Sequence, residues 1–126
     1  MRVSDLHFPD AVAEVTVLFE AYERALLVND VEAMDRAFWN DARVVRFGLA
    51  EVQDGIDEIR AWRRDAAPVP ATRTITSRRV LALARDVVAV DVTFRNGDAP
   101  GVGRQSQTWC RFDDGWRIVR AHVSMI

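Results

Sequence analysis

Lysine is absent from this chain of 126 residues, and its 17 basic residues are all arginine. Without lysine the protein can form no Schiff base, and it cannot contain the lysine of a phosphate-binding loop. The single cysteine, Cys110, cannot form an internal disulfide, which is typical of a protein in a reducing compartment. We therefore expect a cytoplasmic protein whose chemistry depends on other side chains.

Long apolar runs, blocks of like charge and metal-ligand clusters are missing as well. No apolar run approaches the ~20 residues of a membrane-spanning helix, and no signal-like segment opens the chain. The net charge is only −2 and the charges are interspersed, which predicts no basic groove for a nucleic acid. The two histidines lie far apart in the sequence and match no metal-binding spacing. We expect a protein that binds no membrane, no nucleic acid, no metal ion and no cofactor.

The chain does have enough apolar sequence for one buried core. Hydrophobic residues make up 49% of it, and its length is near the usual size of a domain. The predicted helices span residues 10–26, 31–38 and 56–66, and the predicted strands span residues 42–48, 72–84, 87–95, 103–112 and 116–124. No repeat or linker divides these elements, so we predict a single domain over residues 1–126.

Helices followed by a run of strands are typical of an α+β fold, with the helices on one face of a mainly antiparallel sheet. The turn at residues 113–115 (DDG) predicts a hairpin between the last two strands. The strand before this turn is polar over residues 104–108, so we expect a strongly curved sheet that forms a cone around a wet pocket. We expect the convex face of the last strand to form a homodimer, through Val119, Ala121 and Val123 or through the alternate set.

Tyr22, the only tyrosine, lies on the predicted core face of the first helix, between Phe19 and Leu26. A buried phenol needs a hydrogen-bond partner. Two interpretations are open. Tyr22 is either a core residue bonded to a backbone carbonyl, or a phenol at the pocket floor that donates a proton to a substrate or polarises it.

Arg46 shares a face of its predicted strand with Val44 and Gly48, which is a difficult place for a solvated charge. A buried arginine needs an anion or several acceptors. Glu51 or Asp91 would provide one within the protein. Otherwise the guanidinium is free to hold a carboxylate ligand through its planar fork.

Five further residues are candidates for the pocket wall. Alternation along the polar strand places Gln105 and Gln107 on one face and Arg104 on the other, and it leaves open which face lines the pocket. An exposed edge or a dimer surface is an equally valid interpretation of this strand. His122 is either a general base or a hydrogen-bonded structural residue. Trp39 is a core or pocket-rim residue.

Particular phrases in the chain resemble known proteins. The closing residues 115–119 (GWRIV) and 122–124 (HVS), with the order of helices and strands, resemble the NTF2-like, or ketosteroid-isomerase-like, cone fold. A narrower resemblance, to the AtzH-like family, spans nearly the whole chain. It is carried by residues 38–39 (FW), 45–48 (VRFG), 57–60 (DEIR) and 103–109 (GRQSQTW), of which the last is the most specific.

The resemblance to the AtzH-like family implies a decarboxylating amidohydrolase that converts 1,3-dicarboxyurea to allophanate in cyanuric acid catabolism, a part of s-triazine degradation. It implies a small anionic substrate and a functional partner amidase of the AtzE type, with its small partner AtzG. It also implies that Tyr22 and Arg46 act in catalysis, and the burial argument selects the same two residues independently.

Two other functions stay open at this point. A non-catalytic accessory or ligand-binding protein for the amidase predicts a filled cone, with Tyr22 and Arg46 satisfied by protein groups. An isomerase or dehydratase of the ketosteroid-isomerase type predicts a roomy apolar pocket with a carboxylate or histidine base within reach.

Overall fold

The computed structural model describes all residues 1–126 as three α-helices and six β-strands, preceded by one short 3₁₀ turn. The helices are α1 (Pro9–Val28), α2 (Val31–Ala37) and α3 (Ile56–Asp65). The strands are β1 (Val45–Phe47), β2 (Val52–Asp54), β3 (Arg73–Ala84), β4 (Val87–Asn96), β5 (Gly103–Phe112) and β6 (Gly115–Met125). The predicted elements occur in the predicted order, β2 is an additional short strand, and β1 is shorter than its predicted range.

The ends of α1 and α2 follow from local sequence. Pro9 occupies the first turn of α1, where its missing N–H costs no hydrogen bond. Asn29 ends α1 in the left-handed conformation, with φ of 53°. The Asp30 side chain then accepts a hydrogen bond of 3.1 Å from the Ala33 N–H and caps α2. These two residues turn the chain so that α2 packs back on α1.

The strands form one open sheet in the order β2-β1-β6-β5-β4-β3. Only β1 and β6 pair in parallel, and every other pair of neighbours is antiparallel. Register shifts interrupt β3 and the β5–β6 pair, and such bulges increase the local twist of a sheet. The mainly antiparallel, curved sheet predicted from the sequence is confirmed.

A bulge near Val119 decides which residues of β6 face the helices. The pairing jumps from Thr108↔Arg120 to Trp109↔Ile118, which leaves Val119 without a partner. Ala121 therefore faces inward, toward the helices. The prediction that Ala121 contributes to an apolar convex face of β6 is wrong. The outward positions of β6 beyond the bulge are polar, and they are Arg120, His122 and Ser124.

The core lies between α1 and the concave face of the sheet. A single cluster of 19 buried apolar residues extends from α1 through α2 and α3 to β4, β5 and β6. Val15, Val44, Ile59, Val88 and Ile118 are fully buried within it. The cluster fills one end of the cone, and a cavity occupies the other. None of the three helices combines the length and apolar content needed to cross a bilayer.

Candidate active site

A cavity of about 380 Å³ lies between the three helices and the concave face of the sheet. Four of the predicted site residues line it, although they come from three different elements. They are Tyr22 from α1, Arg46 from β1, and Gln105 and Gln107 from β5. The fold therefore brings together side chains that are more than 80 positions apart in the sequence, and the inward face of β5 is the one that carries the two glutamines.

Arg46 presents a partly free guanidinium to this cavity. Its Nη1 donates to Glu51 Oε1 at 3.0 Å and to Gln53 Oε1 at 2.9 Å, while its Nε and Nη2 donate to no protein atom. The guanidinium lies over the Trp62 ring, 3.8 Å from the ring centroid. Burial is the main effect that lowers the pKa of Arg46 from its ordinary value, and the hydrogen bond to Glu51 opposes it. An arginine remains charged under these conditions, so its free Nε–Nη2 edge is suited to a carboxylate.

Tyr22 presents a hydroxyl whose proton has no protein acceptor. The phenol is buried at the core end of the cavity, in edge contact with Phe38. Its oxygen accepts a hydrogen bond of 3.2 Å from Arg63 Nη2, which uses a lone pair and leaves the O–H free to donate. The partner of the phenol is thus a guanidinium rather than the backbone carbonyl of the first interpretation.

The floor of the cavity is closed by a buried ion pair. Arg73 of β3 donates to Glu23 of α1 through Nε at 3.0 Å and Nη2 at 3.1 Å. Gln105 bonds both partners, because its Oε1 accepts from Arg73 at 3.3 Å and its Nε2 donates to Glu23 at 3.1 Å. The Gln105 amide is therefore used within the protein, so its role is to hold the floor together.

Gln107 has a different role from Gln105. Its Oε1 accepts a hydrogen bond of 2.9 Å from the Trp109 indole N–H, which fixes the orientation of the amide. The Gln107 NH₂ group donates to no protein atom and lines the cavity. It is a neutral donor available to a carbonyl or carboxylate oxygen of a ligand.

Most residues that line the cavity are apolar, and cations outnumber anions among its charged residues. Among the lining residues, Arg46, Arg63 and Arg73 are cationic, Glu51 is the one carboxylate, and there is no histidine. Glu23 neutralises Arg73 from behind the wall, whereas Arg46 and Arg63 keep donors without acceptors. Because a buried cation is stabilised by a paired anion, this wall favours a small anionic ligand.

Three predicted site residues lie elsewhere, and their expected contribution to the pocket is corrected. Arg104 faces the opposite side of β5 and donates to Ser124 Oγ at 3.0 Å, because alternation that turns the glutamines inward turns it outward. His122 is exposed on the outer face of β6, with its ring against Phe47. Trp39 stacks on Phe112, with ring centroids 5.0 Å apart, and does not line the cavity.

The ion pair of the cavity floor, Glu23 with Arg73, is not among the predicted site residues. Glu23 lies on α1 and is buried despite its charge. A signal was available, since Glu23 follows Phe19 by four positions and precedes Leu26 by three, which places it on the buried stripe. Arg63 follows Ile59 by four positions, so the same argument would have placed it on the buried face of α3.

Known proteins resemble this chain over nearly its whole length. The model of the AtzH-like family matches residues 4–126. A cystatin-like fold protein from Burkholderia xenovorans LB400 is 48% identical, with a TM-score of 0.90 over 94% of this chain and 93% of that one. A protein of unknown function from the DUF3225 family of Pectobacterium atrosepticum SCRI1043 is 37% identical, with a TM-score of 0.94 over 100% of this chain and 98% of that one. No curated protein matches the chain.

More distant structures share the fold alone. An NTF2-like superfamily protein from Salmonella enterica serovar Typhimurium LT2 is 16% identical, with a TM-score of 0.76 over 94% of this chain and 93% of that one. The family model covers nearly the whole chain, including β1 with Arg46 and β5 with the two glutamines. The protein is therefore a member of the AtzH-like family, built on an NTF2-like α+β fold.

Proposed function

We propose that this protein is a decarboxylating amidohydrolase that converts 1,3-dicarboxyurea to allophanate. The observation that carries the proposal is the cavity wall, where one buried and one half-buried guanidinium, Arg63 and Arg46, have unused donors beside a phenol whose proton is free. A compact urea with two carboxylates matches the charge of such a site and fits within its volume of about 380 Å³. Membership of the AtzH-like family supports the same substrate class.

The chemistry requires one proton and no oxidant. The free Nε–Nη2 edge of Arg46 binds a substrate carboxylate, and the Gln107 amide NH₂ is placed to hold a further oxygen. The bond between a urea nitrogen and the departing carboxyl carbon breaks, its electron pair stays on nitrogen, and carbon dioxide leaves. Tyr22 donates its proton to that nitrogen, and the phenolate regains a proton from solvent. The products are allophanate and carbon dioxide.

The other two functions have less support. An isomerase of the ketosteroid-isomerase type needs a free carboxylate or histidine base, whereas the one lining carboxylate, Glu51, is bonded to Arg46. A purely accessory protein predicts a filled cone, whereas the cone contains an open cavity. Pairing with a cytoplasmic amidase of the AtzE type and assembly as a homodimer are compatible with the enzymatic role and belong to this proposal.

Two cavity substitutions and one surface control test the proposed site. Tyr22→Phe removes only the phenol oxygen, and we expect allophanate formation to slow by about 10²-fold or more, the usual contribution of a general acid. Arg46→Gln removes the carboxylate fork and should cost about 10²-fold or more. Arg104→Gln, on the outer face, is the control and should keep the wild-type rate. Full turnover in both cavity variants, with circular dichroism showing that they are folded, would refute the assignment.

A further inference from the structure

Arg63 is a buried charged side chain with an unsatisfied hydrogen-bond donor. It lines the cavity at only 6% relative exposure, and its guanidinium carries five N–H groups. Nη2 donates to the Tyr22 hydroxyl, and Nη1 donates to the Met34 thioether sulfur at 3.2 Å, which is a weak acceptor. Nε is buried and has no hydrogen-bond partner. Such a buried cation normally requires an anion with oxygen acceptors.

Asp35 is a poor counter-ion for this guanidinium. Its Oδ1 lies 3.5 Å from Arg63 Nε without a hydrogen bond, and that oxygen is itself buried and unpartnered. The contrast with Arg73 is informative, since Glu23 grips Arg73 with two hydrogen bonds from the same protein interior. The fold thus gives Arg73 a counter-ion that accepts two hydrogen bonds, and it gives Arg63 a counter-ion that accepts none.

Arg63 and Arg46 face the same small volume. Both guanidiniums lie against the Trp62 ring, with their central carbons 5.1 Å and 3.8 Å from its centroid. The sum of these two distances is the upper limit to the separation of the two central carbons. Both residues line the same cavity, so one molecule bound there lies within reach of both. Two like charges held this close repel each other, and the charge of Arg63 contributes to the lowered pKa of Arg46. A dianion placed between them removes this repulsion.

We propose that Arg63 is a second carboxylate subsite, and that Arg46 and Arg63 together select a small dicarboxylate over a monocarboxylate. The inference deepens the proposed function and rests on it for the identity of the substrate. Arg46 holds one terminal carboxylate and Arg63 holds the other. Because Arg63 also bonds the Tyr22 oxygen, it fixes the phenol beside the carboxylate that it binds, and it faces the negative charge that develops on the phenol as the proton leaves.

Calorimetric binding of inert probes tests the subsite without any turnover. Glutarate has the same number of chain atoms between its carboxylates as 1,3-dicarboxyurea, and butyrate is its matched monocarboxylate. We expect the wild-type protein to bind glutarate about tenfold or more tightly than butyrate, the effect of one additional charge-assisted contact. Arg63→Gln should reduce that ratio to near one, mainly by weakening glutarate. Arg64→Gln, the exposed neighbour on α3, should keep the wild-type ratio.

Two further variants protect the test against a folding defect. Arg63→Lys keeps the charge without the fork and should retain part of the preference for glutarate. If Arg63→Gln unfolds, the pair Arg63→Gln with Asp35→Asn removes the buried cation together with its counter-charge, and the same loss of preference is expected. A folded Arg63 variant without charge that still prefers glutarate tenfold would overturn the proposal, as would a wild-type protein with no preference.

The failure of this inference is distinguishable from failure of the proposed function. If the wild-type protein prefers glutarate through Arg63 but does not accelerate dicarboxyurea breakdown, the subsite is supported and the enzymatic role is refuted. If the protein accelerates dicarboxyurea breakdown but its preference for glutarate survives Arg63→Gln, the enzymatic role is supported and the subsite is refuted.

Discussion

The buried ion pair between Glu23 and Arg73 permits a comparison between removing one of its charges and removing both. It joins α1 to β3, and Gln105 joins the same pair to β5. The two side chains are only 11% and 5% exposed. Arg73→Met fills similar space without charge and leaves the Glu23 carboxylate buried alone. Breaking one side of such a pair costs about 3–5 kcal/mol of unfolding free energy.

For a domain of this size that loss corresponds to a fall in melting temperature of roughly 10–20 °C. Replacing both partners, as Glu23→Leu with Arg73→Met, removes both charges and should cost only about 1–3 kcal/mol, mostly because the Gln105 amide loses its partners. The double variant should therefore be more stable than Arg73→Met alone. Chemical unfolding followed by circular dichroism measures the free energy of unfolding of the wild-type protein, of Arg73→Met and of the double variant.

An exposed ion pair on the same interface is the control. Arg78 of β3 donates to Glu20 of α1 at 2.8 Å, with side chains 39% and 48% exposed. Because water screens such a pair, Arg78→Met should cost at most about 1 kcal/mol. If Arg73→Met costs no more than Arg78→Met, or if the double variant is the less stable one, burial of the pair does not govern its energetics and the reasoning is refuted.

Three further measurements probe other parts of the molecule. Glu51→Gln removes the one carboxylate of the cavity wall and should tighten glutarate binding roughly 3–10-fold, measured by calorimetry, because a like charge near the anion is lost; unchanged or weaker binding would contradict this. Burial raises the pKa of the Cys110 thiol, so at pH 8 iodoacetamide should alkylate it more slowly than it alkylates the unfolded chain, and equal rates would count against burial. Hydrogen bonds from Arg43 lower the pKa of Asp41 from 3.8 to about 2. The contribution of the Asp41 carboxylate to stability is therefore present above pH 3.8 and is lost as the pH falls toward 2. An NMR titration of Arg43→Gln should find that the pKa of Asp41 has moved upward.

The sequence was sufficient for most of the architecture because the relevant signals are local. Alternation and turn residues located β5 without error, since Gly103 and the turn before Gly115 bound it on both sides. The cap at Asp30 was equally readable. The unpaired Val119 was not, because a bulge depends on how two strands fit together, and it determines that Ala121 rather than His122 faces the cavity.

The candidate site was predictable only in part, for a related reason. Tyr22 and Arg46 were selected because each is a polar group on a predicted buried face, where it needs a hydrogen-bond partner or a counter-ion. Arg63 was not selected, since its significance comes from a hydrogen bond to a residue 41 positions away and from a counter-ion, Asp35, that lies 3.5 Å away without a hydrogen bond. The periodicity of α3 shows that Arg63 is buried, but no local pattern shows what satisfies it.

The most direct test of the enzymatic role is the rate of carbon dioxide release from freshly prepared 1,3-dicarboxyurea, with and without the protein. Our account predicts a rate above the spontaneous one that saturates with substrate, with one allophanate formed per carbon dioxide released, and with competitive inhibition by glutarate. A rate equal to that of the protein-free solution, under conditions where glutarate binds, would contradict the account and identify the cavity as a site of binding alone.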